Sequence, residues 1–174
     1  MNPNGPEPSK PYRVEGGWAV AEEEAEFLRG LAIALRPRCI AEVGTGTARS
    51  LRAFSEAAAY LAAYLDWPCA VWSCDVNSQA CAIGRILCPS ARVIHGDSPA
   101  LARAISPAPD LVFIDGEHTE AMVRADFAAM KAVASEHAVY LFHDTRPGFR
   151  RMREVAAGLG AIALPTAHGI SILA

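Results

Sequence analysis

No stretch of this 174-residue chain stays apolar for the roughly 20 residues that a membrane span takes, and its first residues, MNPNGPEPSKPYR, lack the apolar core of a signal peptide. A cytoplasmic location and no membrane partner are therefore expected. An excess of positive charge is missing too. With 16 basic against 19 acidic residues, a net charge of -3 and a pI of about 5.9, the chain has no surplus to grip a phosphate backbone, so no nucleic-acid partner is expected. Cysteine is sparse and unpatterned: Cys39, Cys69, Cys74, Cys81 and Cys88 are odd in number, scattered, and form no Cys-x-x-Cys pair. That argues against a disulfide frame and a cysteine zinc site and leaves reduced core residues. Internal repeats are absent.

What is present suffices for one core: 52% of the residues are hydrophobic, at a length that fits one domain. Residues 1–17, with four prolines and three glycines, read as an irregular N-terminal arm, and residues 18–174 as a single domain. From Trp18 to Leu35 the apolar positions recur at helical spacing, three glutamates occupy the early turns favoured by the helix dipole, and Arg36-Pro37 ends the run. Strands are expected at 39–43, 70–75, 91–95, 110–115, 138–143, 161–165 and 169–174, with helices at 48–65, 77–87, 97–105, 119–134 and 148–158. The central strands are apolar along their whole length, as strands covered on both faces are. Only Pro165-Thr166-Ala167-His168 separates the last two, too little for a parallel crossover, so the last strand runs antiparallel. The expected fold is α/β: a Rossmann-like, doubly wound, mostly parallel seven-stranded sheet with a terminal hairpin and helices on both faces.

Ligands of such sheets bind beyond the carboxyl ends of the strands. After the first strand stands Glu42-Val43-Gly44-Thr45-Gly46-Thr47-Ala48, where Gly44 and Gly46 allow a tight turn and close approach to a ligand. The dinucleotide fingerprint needs a third glycine where this chain has Arg49, which disfavours an NAD-dependent oxidoreductase. The second strand ends in Asp75-Val76, an acid able to accept bonds from both hydroxyls of a ribose, and the third leads into Gly96-Asp97-Ser98. Plainer readings stand beside these: the glycines as turn residues, Asp75 and Asp97 as helix caps. The glycine segment resembles the first motif of class I S-adenosylmethionine-dependent methyltransferases, with Ala48 at the last glycine position. The resemblance runs from Trp18 to Ala174 and includes the terminal hairpin. It implies S-adenosylmethionine as cofactor, Glu42 behind the glycine loop steadying the methionine moiety, and Asp97 and its neighbours at the adenine.

The fourth strand ends Phe113-Ile114-Asp115-Gly116-Glu117-His118 and the fifth Phe142-His143-Asp144-Thr145. Asp115 and Asp144 are hard oxygen ligands suited to Mg²⁺ or a similar cation, and His118 is placed to take a proton from a hydroxyl that such a cation has acidified. Together the two motifs resemble a bacterial family of metal-dependent O-methyltransferases and their cephalosporin-hydroxylase-like relatives. That resemblance implies Asp115 at cofactor and metal, Asp144 at the metal, and His118 as base. His143 is a further candidate metal ligand, and an imidazole there suits Mn, Fe or Zn better than Mg. The expected reaction is O-methylation of a small hydroxylated molecule, with a divalent cation (Mg or Mn) assisting. A non-catalytic nucleoside-binding or interaction module of the same fold stays open, as does a homo-oligomer. The Asp/Asn-Pro-Pro-Tyr signature of DNA amino-methyltransferases is absent after the fourth strand. The basic run from Arg146 to Arg153 reads either as an anion-binding segment or as a solvated helix face, and Trp18, Trp67 and Trp72 read as packing residues.

Overall fold

Burial of both strand faces sets the architecture. In β1 (Cys39–Val43) every side chain is buried; Ile40 joins one apolar cluster, while Cys39, Ala41 and Val43 join another on the opposite face. The same alternation recurs in β4 (Leu111–Ile114), where Leu111 and Phe113 face one cluster and Val112 and Ile114 the other. A strand dry on both sides must have helices above and below it, and these strands do.

The computed structural model of the chain describes residues 19–174; the expected arm, residues 1–17, and Trp18 lie outside the described residues. In chain order the elements are α1 (Glu22–Leu35), β1, α2 (Arg49–Leu65), β2 (Ala70–Asp75), α3 (Ser78–Leu87), β3 (Arg92–His95), α4 (Ser98–Ala104), β4, α5 (Glu120–Lys131), β5 (Val139–Phe142), α6 (Arg150–Gly158), β6 (Ile162–Leu164) and β7 (Ile170–Leu173). The sheet order is β3-β2-β1-β4-β5-β7-β6. β1 to β5 pair in parallel, and β7 inserts antiparallel between β5 and β6. The chain leaves β1 first towards β2 and β3, then returns to β4 on its other side, so β1 and β4 flank the crevice where ligands bind in such sheets.

The first helix begins at Glu22, later than the periodicity suggests, and stops where Arg36 turns left-handed at φ 52°. The terminal hairpin is stitched to the loop after β5 by Thr145 N–H to Gly169 O at 3.0 Å and Arg146 N–H to His168 O at 2.9 Å. Gly169, at φ +88°, has no room for a Cβ there, since one would stand 2.0 Å from the Arg146 nitrogen. Among the described residues no helix is long and apolar enough to cross a membrane. All five cysteines are free, and burial pushes the thiols of Cys39 and Cys69 up to about 12, which leaves them unreactive packing groups. Trp67 and Trp72 lie under the guanidinium groups of Arg38 and Arg92.

Candidate active site

A cavity of about 420 Å³ opens at the carboxyl ends of β1 to β4. Its floor is the turn after β1. Gly44, at φ +97°, runs so close to β4 that a Cβ would stand 2.1 Å from the Asp115 carbonyl oxygen. Gly46, at φ +50°, donates its N–H to Asp75 Oδ2 at 2.9 Å, and Asp75 Oδ1 accepts from Asn77 N–H at 2.8 Å. Asp75 thus braces the glycine turn from the β2 end, and its oxygens keep lone pairs towards the cavity. Asn77, not Asp75, caps α3, whereas Asp97 does cap α4 by accepting from Ala100 N–H at 2.9 Å. Thr45, Gly96, Ser98 and the exposed Val76 complete the expected cofactor residues on the cavity wall.

Glu42 is the exception, because it is fully buried beneath the loop instead of lining the cavity. Ser50 donates to its Oε1 at 2.5 Å and Ser73 to its Oε2 at 2.6 Å, and Thr45 in turn bonds Ser73 at 2.7 Å. Burial raises the Glu42 carboxyl to about 8, against the lowering effect of the two serines. A group whose pKa is raised on folding stabilises fully below its unfolded value and loses that contribution as pH rises through the folded one. The stability margin of wild type over Glu42→Gln should therefore be largest near pH 5 and shrink by about pH 9. Chemical denaturation across that range checks this, and a constant margin would mean that Glu42 stays ionised.

β4 and the turn after it deliver Asp115 and His118 to the cavity lining, while Asp144 stands beside them from just beyond β5, in the left-handed region at φ 54°, which aspartate tolerates. His118 Nε2 stands 2.5 Å from Asp144 Oδ2 and 3.7 Å from Asp115 Oδ1. One ligand atom from each of the three lies within 4.8 Å of the others. The neighbouring carboxylates of Asp115 and Asp144 raise His118 to about 9, so in this arrangement the imidazole is charged at neutral pH and becomes a base only when other positive charge compensates the carboxylates. Burial raises the Asp115 carboxyl, but the imidazoles of His143 and His118 outweigh it and hold Asp115 below the usual range. Two converging carboxylates with an adjacent imidazole fit a divalent cation, which Asp115 and Asp144 would hold.

His143 is buried and links that trio to Glu24. Its Nδ1 meets Asp115 Oδ1 at 2.9 Å and its Nε2 meets Glu24 Oε2 at 3.1 Å. Burial lowers its pKa and the flanking carboxylates more than reverse that, to about 10. Glu24 did not stand out as a functional residue in the sequence, although it shares an i, i+4, i+8 stripe with buried Leu28 and Ala32. Asp126 escaped notice likewise. It sits on the buried face of α5 with Val123 and Met130, accepts from Ser98 at 2.5 Å, and lines the cavity. The basic run after β5 is solvated, with Arg150 85% exposed and paired to Glu154.

A family model for the methyltransferase domain matches residues 41–145. No curated protein matches the sequence. Among solved structures, cofactor-bound Rv0187 from MTB is 18% identical with a TM-score of 0.72, covering 88% of this chain and 80% of that one. The O-methyltransferase from Bacillus cereus in complex with SAH is 15% identical with a TM-score of 0.70, over 90% of this chain and 82% of that one. TomG from Streptomyces achromogenes, an O-methyltransferase involved in tomaymycin synthesis and solved with SAM, is 17% identical with a TM-score of 0.68, over 89% and 80%. At these identities the likeness establishes the fold, and the family match, which covers more than half of the chain, establishes the kinship: the chain belongs to the methyltransferase-domain family, as a class I S-adenosylmethionine-dependent methyltransferase.

Proposed function

We propose that the chain methylates a hydroxyl oxygen of a small molecule, with a divalent cation between Asp115 and Asp144 and His118 as general base. The observation that carries this reading is the convergence of Asp115, His118 and Asp144 within 4.8 Å, with Asp115 and His118 lining the same cavity as Gly44, Asp75 and Asp97. Bound S-adenosylmethionine would supply an electrophilic methyl group, and a bound cation would make an acceptor hydroxyl acidic. The chain's own part is to place and deprotonate that hydroxyl. Asp75 accepts from the ribose, the glycine turn lets the backbone approach the amino-acid end, and Asp97 with Ser98 faces the adenine. At the reacting end Asp115 and Asp144 orient His118, whose Nε2 takes the hydroxyl proton once the field of the two carboxylates is offset. Small hydroxylated acceptors fit a cavity of about 420 Å³ shared with a nucleoside cofactor.

Thermal shift with S-adenosylhomocysteine and with NAD tests the cofactor half. The methyl-cycle nucleoside should stabilise the protein and NAD should not; the reverse order would overturn the reading. Asp75→Ala should weaken S-adenosylhomocysteine by the worth of a charged hydrogen-bond pair, on the order of 2 kcal/mol or about thirtyfold. Unchanged affinity in calorimetry would take Asp75 out of the ribose contact.

A further inference from the structure

Behind the reacting carboxylates lies a second convergence of ligating groups that the proposed reaction does not use. Glu24 from the first turn of α1, His143 from the end of β5 and His168 from the turn between β6 and β7 bring one ligand atom each within 4.8 Å of one another. Two imidazole nitrogens address the same carboxylate oxygen: His143 Nε2 is 3.1 Å and His168 Nδ1 2.9 Å from Glu24 Oε2. Ligand atoms held about 2.0–2.1 Å from zinc in a tetrahedral site stand roughly 3.3 Å apart, so small outward shifts would open this cluster to an ion.

We propose that Glu24, His143 and His168 form a buried zinc site, separate from the cation position between Asp115 and Asp144. The surroundings are those of a ligand set. His143 presents its other ring nitrogen to Asp115 at 2.9 Å, and a ligating histidine is commonly oriented by a carboxylate on its far nitrogen in this way. The second oxygen of Glu24 is fixed by Thr166 Oγ1 at 2.6 Å and by the His168 N–H at 2.8 Å, so the carboxylate cannot swing away. Glu24 is fully buried and the His143 side chain 4% exposed, but His168 keeps 22% and gives the ion a way in. Two imidazoles and one carboxylate select zinc over magnesium or calcium, and three protein ligands leave the fourth position open. The ion would staple α1 to the terminal hairpin and fix the imidazole that orients Asp115.

Titrating zinc chloride into the chelator-treated full chain by calorimetry tests the site. Asp144→Asn removes the cavity position, so one zinc per chain should still bind to that variant. Adding His168→Gln, at a partly exposed residue whose fold can be checked by its melting transition, should weaken zinc by at least the 10- to 100-fold that loss of a mere supporting partner costs. Glu24→Gln should do the same, and zinc-edge absorption of the Asp144→Asn protein should report two imidazole ligands. No zinc bound to Asp144→Asn, or equal affinity with and without His168, overturns the proposal. Either result leaves the methyl-transfer reading standing, because cofactor binding and magnesium-dependent turnover are read separately.

Discussion

Removing the imidazole of His118 by substitution with alanine should lower the rate of methyl transfer by about 10² to 10⁴, the usual worth of a general base, while leaving the affinity for S-adenosylhomocysteine within about twofold. The side chain meets the carboxylates of Asp115 and Asp144, and no bond joins it to the glycine turn or to Asp75. Asp144→Asn should abolish turnover by another route. Asparagine preserves shape and removes charge, so the variant should bind cofactor yet lose the response to added Mg²⁺ or Mn²⁺, and Asp115→Asn should behave alike. Two carboxylates alone would raise the pKa of an acceptor hydroxyl, and a cation reverses the sign of that field. Full activity of the wild type in excess chelator would remove the cation from the mechanism and leave His118 to act unaided.

A second large effect is expected where there is no side chain at all. Gly44→Ala should destabilise the fold by on the order of 3 kcal/mol or more, because φ +97° is strained for any L residue and the new methyl would collide with backbone. The colliding atom, the Asp115 carbonyl oxygen, cannot rotate aside as a side chain would. Separation of β1 from β4 would break the Asp115 N–H to Val43 O bond of 2.8 Å, so the damage spreads to the reacting end of the cavity. Urea denaturation measures the loss. A midpoint equal to that of wild type would show that the turn relaxes without moving β4.

Apolar strands, helical periodicity and a four-residue final turn carry the whole layered fold, because each is a local property of the chain. The cavity residues were legible for the same reason: Asp75 ends β2, Gly44, Asp97 and Asp115 come just after strands, and strand ends can be read in sequence. Glu24 could not be understood that way. Among three consecutive glutamates it looks like one more acid favoured by the helix dipole, yet Glu22 and Glu23 are exposed while Glu24 is buried against partners 119 and 144 positions away. His143 shows the converse. The His-Asp pair correctly marks the end of β5, but only tertiary packing decides that the imidazole faces Glu24 and that His118 joins the two aspartates.

The bonds from Glu24 to Thr166 and His168 span 142 and 144 positions, which has a consequence for the order of events during synthesis. A chain made from its N-terminus exposes α1 long before the hairpin exists, and contacts between distant segments form late because a long loop must close first. Until the hairpin is made, Glu24 lacks the Thr166 hydroxyl and the amide and imidazole of His168, and only the Ala21 N–H and His143 remain to meet it. For as long as Glu24 stays solvated, His143 has Asp115 as a partner on Nδ1 but none from α1 on Nε2. The nascent polypeptide therefore carries its glycine turn, Asp115 and Asp144 before the β6–β7 hairpin that completes the surroundings of Glu24 has been made.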